Sequence, residues 1–151
     1  MKLNNKVPYI YYSRGKVKAK SGDYEGAIAD YNKAINLNQE DNFLYSGDAD
    51  FLHARANVKA ATGDYVGAIN DYDQIIKIRS EYAKAYNDRG VTKVALKDYA
   101  GAIADYDKAI ELYPLFADGY HHRGLLKELL GQNDAAKIDF EKAKEIRTNI
   151  K

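Results

Sequence analysis

The residues best suited to metal or acid–base chemistry are three histidines, and their spacing does not form a site. They are His53, His121 and His122. On a helix the adjacent His121 and His122 point about 100° apart, and neither has a second ligand four residues away, as a helical zinc site needs. His53 lies far from both along the chain. We therefore expect imidazoles that are exposed or line a groove, and no metal site.

Four aspartates recur along the chain, each sixteen residues after an arginine. The pairs are Arg14 and Asp30, Arg55 and Asp71, Arg89 and Asp105, and Arg123 and Asp139. This constant offset favours structural ion pairs over calcium binding or acid–base catalysis, because the fork of an arginine suits a carboxylate. The lone serines lack a histidine and an acid at useful spacing for a nucleophile. We predict that the protein is not an enzyme and uses no cofactor.

Composition argues against nucleic-acid and membrane partners. The 151 residues include 23 basic and 22 acidic side chains, so the net charge is only +1. A nearly neutral chain lacks the field that attracts nucleic acid or acidic lipid. The first eight residues lack the apolar run of a secretory signal, and no stretch approaches the roughly 18 apolar residues of a membrane span. The absence of cysteine excludes disulfides and cysteine-ligated zinc. We expect a cytoplasmic location.

The strongest pattern is an internal repeat. A segment that begins Gly-Asp-Tyr occupies residues 22–31 and returns at 63–72, at 97–106 with lysine in place of the glycine, and, in a worn form, at 131–140. Its alanines at 27, 68, 102 and 136 are 41, 34 and 34 residues apart, so the first gap holds seven extra residues. Each copy has an upstream half with helical apolar spacing, and Gly-Asp fits a helix end followed by an N-cap. Each unit is therefore predicted to be helix, tight turn, helix.

A 34-residue repeat of this kind resembles the tetratricopeptide family. The first copy matches the family pattern at Tyr11, Gly15, Ala27, Tyr31 and Ala34, and the third copy adds Pro114 at the end. The resemblance implies an all-α, right-handed α-solenoid of four helix-turn-helix repeats in a single domain, 1–151. The repeats would cover about 8–41, 49–82, 83–116 and 117–150, with an insertion at about 42–48.

Two positions of the repeat depart from the family pattern in all four copies. A third position, occupied by small residues, should allow the two helices of each hairpin to pack closely. All four copies have arginine where leucine is usual, and lysine where an aromatic residue is usual: Lys18, Lys59, Lys93 and Lys127. Gly15 on a first helix is expected to face Ala27 on the second, as do their equivalents, because small residues let two helices approach closely.

The resemblance implies that the first helices line a concave groove. The candidate groove residues are Tyr12, Lys16, Lys20, His53, Asn57, Asn87, Val91, Val94, His121 and Leu125. Lys16 and Lys20 make one end basic, whereas the two valines and Leu125 would form an exposed apolar stripe, which typically marks a binding site. The lysine, asparagine and arginine clamp by which some relatives hold chaperone tails is not matched, since His53, Asp88, Asp118 and His122 occupy its positions.

Two functions follow from this surface. The first is a protein–protein interaction scaffold that binds a peptide or partner segment in the groove, with acidic residues at the basic end and apolar residues at the other. The alternative is a structural unit that forms homo-oligomers by stacking repeats between chains. The sequence does not identify the partner.

Three local expectations can be compared with a structure. Lys97 replaces a turn glycine and should adopt a left-handed conformation. The insertion should pack Phe43, Leu44 and Tyr45 on the solenoid, with Asp48 as the next N-cap, or else extend the preceding helix by two turns. Lys137 and Lys144 replace isoleucines of the earlier copies, which would keep a terminal repeat soluble.

Overall fold

A computed structural model describes residues 6–40 and 47–149, and the part of the chain that it describes folds into eight α-helices with no strand. The helices are α1 (Lys6–Lys20), α2 (Tyr24–Glu40), α3 (Gly47–Ala61), α4 (Tyr65–Ile78), α5 (Ala83–Ala95), α6 (Tyr99–Leu112), α7 (Ala117–Leu129) and α8 (Asn133–Asn149). The predicted all-α architecture of four helix-turn-helix repeats is confirmed.

The turn within each hairpin has the predicted chemistry. Gly22, Gly63 and Gly131 have φ values of 85°, 88° and 76°, and Lys97 takes the same left-handed conformation with φ 61°. After the first three of these turns along the chain, an aspartate carboxylate accepts a hydrogen bond from the backbone N–H three residues later, at 2.9–3.0 Å. These bonds satisfy amides at the start of the second helix that have no partner within it.

A glycine lies at the end of each of these capping bonds. In the turn before α4, a Cβ added to Gly67 would lie 2.1 Å from Asp64 Oδ2, and the same clash recurs at the two equivalent glycines. The Asp-x-x-Gly spacing therefore allows the carboxylate to sit against the helix.

The chain forms two compact units, Met1–Ser80 and Glu81–Lys151. In the first unit α1 packs on α2, α3 packs on α4, and α2 packs on α3. The second unit repeats this arrangement with α5 to α8. Each unit therefore contains two hairpins and one joint between them. The single domain over residues 1–151 stays a prediction.

The interior of three of the four hairpins contains a glycine against an aromatic ring, and the second hairpin has buried Ala56 at this position. Ala27 is buried as expected, but the nearest atoms to a Cβ built on Gly15 belong to the Tyr31 ring, at 2.6 Å from Cε1. The same holds for Gly90 and Tyr106 and for Gly124 and Phe140. The missing Cβ of the glycine therefore makes room for the ring edge, and the expected contact between this glycine and Ala27 stays a prediction.

The connection between the first two repeats differs from one expectation. Helix α3 begins at Gly47, so Asp48 lies inside its first turn and is not the N-cap, and that prediction is wrong. Asp48 is buried, and its Oδ1 accepts a hydrogen bond from Asn38 Nδ2 at 2.7 Å, which ties α3 to α2. Phe43, Leu44 and Tyr45 lie outside the described residues.

Candidate functional site

The four arginine–aspartate pairs are present in the structure, which confirms the prediction from the sixteen-residue offset. In each pair arginine Nε donates to one carboxylate oxygen at 2.7–2.9 Å, and Nη2 donates to the other. Each pair joins the two helices of one hairpin. All four aspartates are buried. A bidentate pair in this setting is a structural clamp rather than a reactive carboxylate.

The structure explains why all four repeats have lysine at the same position, which the sequence alone did not reveal. Lys18, Lys59, Lys93 and Lys127 each place Nζ 2.8–3.1 Å from the aspartate that the arginine of the same hairpin holds. Each buried carboxylate therefore meets two cations. Because an arginine and a lysine four residues apart lie on the same helix face, their spacing could have predicted a shared aspartate.

These cations lower the pKa values of two of the carboxyl groups, those of Asp30 and Asp139. The hydrogen bond from Arg14 is the main cause that lowers the pKa of Asp30 to about 2. Burial raises the pKa of Asp139, but hydrogen bonds from Arg123 and Lys127 outweigh burial, and its pKa lies below the usual value. Asp30 and Asp139 are therefore ionised at neutral pH and have no proton to exchange.

In the first unit, the pairing removes much of the basic character expected of α1. Arg14 and Lys18 are bound to Asp30. Lys16 and Lys20 remain exposed, and Lys16 Nζ lies 5.3 Å from the ring centroid of half-buried Tyr12. On the described part of α1, the exposed unpaired cations are therefore these two lysines.

The other two candidates of the first unit lie on α3. Asn57 is exposed, and its Oδ1 accepts a hydrogen bond from Tyr72 Oη at 2.7 Å. His53 is buried, with its ring centroid 6.0 Å from that of Tyr72. The expectation that the His53 imidazole is open to a groove is therefore wrong, because this side chain is buried.

The second unit contains a mostly apolar pocket of about 340 Å³. It is lined by Val91, Val94, Tyr106, His122, Leu125, Leu126 and Leu129. Three predicted groove residues, Val91, Val94 and Leu125, therefore come together in one concavity. Leu129 was missed, although it follows Leu125 by four residues and so shares its helix face.

The polar side of this pocket is built by a histidine and a buried asparagine. Asn87 Nδ2 donates to Asp88 Oδ1 at 2.9 Å, so its Oδ1 is the acceptor that lies 2.9 Å from His122 Nδ1. The ring therefore carries its proton on Nδ1 and leaves Nε2 as an acceptor. Burial, aided by His121, lowers the pKa of His122 and keeps the ring neutral at pH 7.

Two predicted site residues thus have different places from those expected. Asn87 is buried and orients His122, so its side chain is not at the surface for a ligand. His121 does not line the pocket and instead packs near the Phe140 ring, with centroids 5.7 Å apart. The adjacent His122, which sequence reasoning left out of the groove, takes the lining position.

Neither a metal site nor a membrane segment is found where the structure describes the chain. Over residues 6–40 and 47–149 there is no group of three histidine, cysteine or acidic side chains that could hold a metal ion. Over the same ranges, no helix has the length and apolar character needed to cross a bilayer.

Family models identify the repeats. Models described as tetratricopeptide repeat match residues 8–41, 83–115 and 117–150, which together make up most of the chain. This chain belongs to the tetratricopeptide repeat family. The recognition from sequence is confirmed. Tetratricopeptide repeats generally mediate protein–protein interaction.

Solved structures with the tetratricopeptide fold resemble this chain at low identity. A crystal structure of MamA is 24% identical with a TM-score of 0.79, and the match covers 95% of this chain and 80% of that one. The first TPR of Spaghetti (RPAP3), bound to the HSP90 peptide SRMEEVD, is 21% identical with a TM-score of 0.72, and the match covers 85% of this chain and 97% of that one. BtubC (BKLC) from P. vanneervenii is 16% identical with a TM-score of 0.88, and the match covers 99% of this chain and 66% of that one. The search of curated proteins gave no match.

Proposed function

We propose that this chain is an interaction scaffold whose second unit binds an apolar side chain of a partner peptide. The observation that carries this proposal is the pocket between α5 and α7, where Val91, Leu125 and Leu129 leave apolar surface exposed. Pockets of about 300–1,000 Å³ with an apolar lining and few polar groups are typical of ligand sites. A leucine, isoleucine, methionine or phenylalanine side chain suits this chemistry.

His122 supplies the polar contact in this proposal. Its Nδ1 is bonded to Asn87, so Nε2 is an acceptor for an N–H group of the peptide. A neutral imidazole is required, because protonation would remove that acceptor. The lowered pKa of His122 favours the neutral form at physiological pH.

The first unit is proposed to contribute a separate contact for acidic residues. Lys16 and Lys20 are four residues apart on α1 and exposed, whereas Arg14 and Lys18 are both held by Asp30. Two exposed lysines would mainly raise the association rate and make it sensitive to salt. Reversal of both charges tests this contact independently of the pocket.

The peptide of the RPAP3 neighbour is not the ligand that we propose. A peptide with a terminal carboxylate needs cations, but Asp88 and Asp118 occupy two of the positions where relatives use polar and basic clamp residues. Asp118 already receives a hydrogen bond from Arg147 Nη2 at 3.0 Å. Two carboxylates at these positions would repel an acidic tail.

Self-assembly through repeat stacking is the weaker alternative. Lys137 and Lys144, which replace isoleucines of the earlier repeats, are both exposed on α8. Two lysines on this face would have to be desolvated in a stack of chains, and desolvation of charge is costly. Sedimentation across a range of concentrations distinguishes the two functions, since only self-assembly predicts a concentration-dependent increase in size.

A peptide library displayed on phage tests the pocket without a known partner. We expect the parent chain to enrich peptides with a large apolar residue, and Leu125→Asp to weaken their binding at least tenfold. Leu96→Asp is the matched control, because Leu96 and Leu125 are both 46% exposed and Leu96 is not in the pocket lining. Failure to enrich any peptide, or equal binding by Leu125→Asp, would overturn the proposal.

A further inference from the structure

Each unit has one joint between repeats, α2 on α3 in the first unit and α6 on α7 in the second. The two joints are built from residues at matching positions of the repeat. In the first unit, α3 meets α2 through Val58, which belongs to the cluster on which Ile28 packs. Arg55 holds Asp71 within its own hairpin and also donates from Nη1 to Asn32 Oδ1 at 2.6 Å. The arginine thus has two partners, one in its own hairpin and one in the preceding repeat.

The second unit repeats this joint between α6 and α7. Leu126 shares a cluster with Ile103, and Arg123 Nη1 donates to Asp107 Oδ1 at 2.6 Å. At the far end a Cβ on Gly119 would lie 3.1 Å from Ile110 Cγ1. The preceding helix therefore presents an apolar residue, an acceptor four residues later and a second apolar residue seven residues along, all on one face.

Helix α1 carries the receiving half of this joint on a face that no helix of the described residues covers. Ile10, Arg14 and Val17 hold the positions of Gly119, Arg123 and Leu126. Ile10 is 62% and Val17 67% exposed, whereas Leu126 is 2% exposed. We call these three residues of α1 the end surface.

The arginine of the end surface shows the same contrast. Arg14 holds Asp30 with Nε and Nη2, and its Nη1 has no acceptor within the described residues. Its side chain is 56% exposed, against 16% for Arg55 and 18% for Arg123. Two apolar side chains beside a donor without an acceptor make a surface complementary to one kind of helix.

We propose that the end surface binds an amphipathic helix of a partner protein that has isoleucine or leucine at positions i and i+7 and aspartate or asparagine at i+4. The chain itself seats this pattern on the equivalent face twice, as Ile28, Asn32 and Ile35 in α2 and as Ile103, Asp107 and Ile110 in α6. The carboxylate or amide would accept from Arg14 Nη1, and the apolar pair would cover Ile10 and Val17.

A second copy of this chain does not fit the end surface as well. Its α8 holds Lys137, Glu141 and Lys144 at the three positions. Glu141 could accept from an arginine, but the two lysines would place ammonium groups against Ile10 and Val17. Burial of those charges against apolar side chains is unfavourable, which favours a partner helix other than α8 of a second copy.

The probe for this proposal is a hydrocarbon-stapled, fluorescently labelled helix with the sequence of residues 99–112, stapled on the face opposite Ile103 and Ile110. The staple is needed because an isolated 14-residue helix is marginal in water. We expect saturable binding to the full chain by fluorescence anisotropy. A probe with lysine at the two isoleucine positions, as in α8, should bind at least tenfold more weakly.

Protein variants locate the binding. Val17→Lys should weaken binding of the probe at least tenfold, and Val66→Lys should not, although Val66 is 64% exposed and Val17 67%. Circular dichroism verifies that both variants fold. Absence of binding, binding that Val17→Lys leaves unchanged, or equal binding of the lysine probe would overturn the proposal. Concentration-dependent dimerisation that Val17→Lys abolishes would assign the surface to a second copy instead.

Discussion

Helices α1 and α7 hold equivalent positions of the repeat and have different surroundings. In α7 the face that meets α6 buries Leu126 and leaves only 18% of the Arg123 side chain exposed. In α1 the same face is open, with Val17 67% and Arg14 56% exposed. Toward its own hairpin partner, each helix makes the same contacts. Gly15 meets Tyr31, and Gly124 meets Phe140.

The comparison separates two sources of stability. Contacts inside a hairpin depend on the repeat sequence alone, whereas contacts on the outer face depend on what the neighbouring repeat supplies. This separation is expected of repeat proteins, whose stability is approximately a sum of hairpin terms and nearest-neighbour interface terms. Substitutions at matched positions of α1 and α7 can test it.

The largest expected difference comes from the clamp arginines. Arg123→Met keeps the aliphatic stem but leaves Asp139 with only Lys127, and it also removes the bond to Asp107. We expect a loss of about 2–3 kcal/mol in the free energy of unfolding, below the ~3–5 kcal/mol of a fully buried pair because the arginine keeps some exposure. Urea denaturation followed by circular dichroism measures it.

Arg14→Met is the matched substitution in α1. Within the described residues Asp30 is the only carboxylate that Arg14 binds, and the Arg14 side chain is exposed. We therefore expect a clearly smaller loss in the free energy of unfolding. Equal losses for Arg14→Met and Arg123→Met would show that the joint between α6 and α7 adds nothing to the clamp.

The hairpin interior should respond equally in both places. A Cβ at Gly15 would lie 2.6 Å from Tyr31, and one at Gly124 would lie 2.7 Å from Phe140. We expect Gly15→Ala and Gly124→Ala each to lower the free energy of unfolding by about 1–3 kcal/mol through overpacking, despite the higher helix propensity of alanine. A stabilised variant, or a large difference between the two, would contradict a common hairpin interior.

The turns offer a smaller, reciprocal test. Lys97 has φ 61° where Gly131 has φ 76° in the equivalent turn. Lys97→Gly should stabilise the protein by about 1 kcal/mol, because a side chain is unfavourable in this conformation. Gly131→Lys should cost a similar amount. For a chain of this size each change corresponds to about 2–4 °C in Tm by calorimetry. Shifts of the same sign for both substitutions would refute this account.

The smallest chemical change that tests the clamp is the protonation of Asp30. The pKa of Asp30 is lowered from 3.8 to about 2. The folded state thus binds this proton less readily than the unfolded state, so Asp30 stabilises fully above about pH 4 and its contribution is lost as pH falls toward 2. NMR titration of the carboxyl group should show the low pKa, and Asp30→Asn should remove part of the acid destabilisation. A pKa near 3.8 would refute the clamp.

Repeat periodicity predicted the helices and clamps because those features depend on contacts within one 34-residue unit. Arg14 and Asp30 could be paired from their offset alone, and Lys97 could be placed in a left-handed turn from its alignment with glycines. The same reasoning failed for Asp48, because the seven-residue insertion has no second copy that would define where α3 begins.

The pocket could be predicted only in part for a different reason. Helical spacing brings Val91, Val94 and Leu125 to one face, but it does not reveal which of two adjacent histidines turns inward. His122 turns toward the pocket because buried Asn87 holds its Nδ1, and that contact links residues 35 positions apart. A contact of this kind arises from packing between neighbouring repeats and has no signature in a single repeat.

Methyl NMR of the full chain tests the central claim most directly, namely that the α5–α7 pocket is the peptide site. On titration with a peptide selected from the library, we predict that the methyl signals of Val91, Val94, Leu125 and Leu129 shift together and saturate with one common affinity. The signals of Leu96, Val66 and Val17 should stay unchanged. Saturable shifts confined to methyl groups outside the pocket would contradict the account.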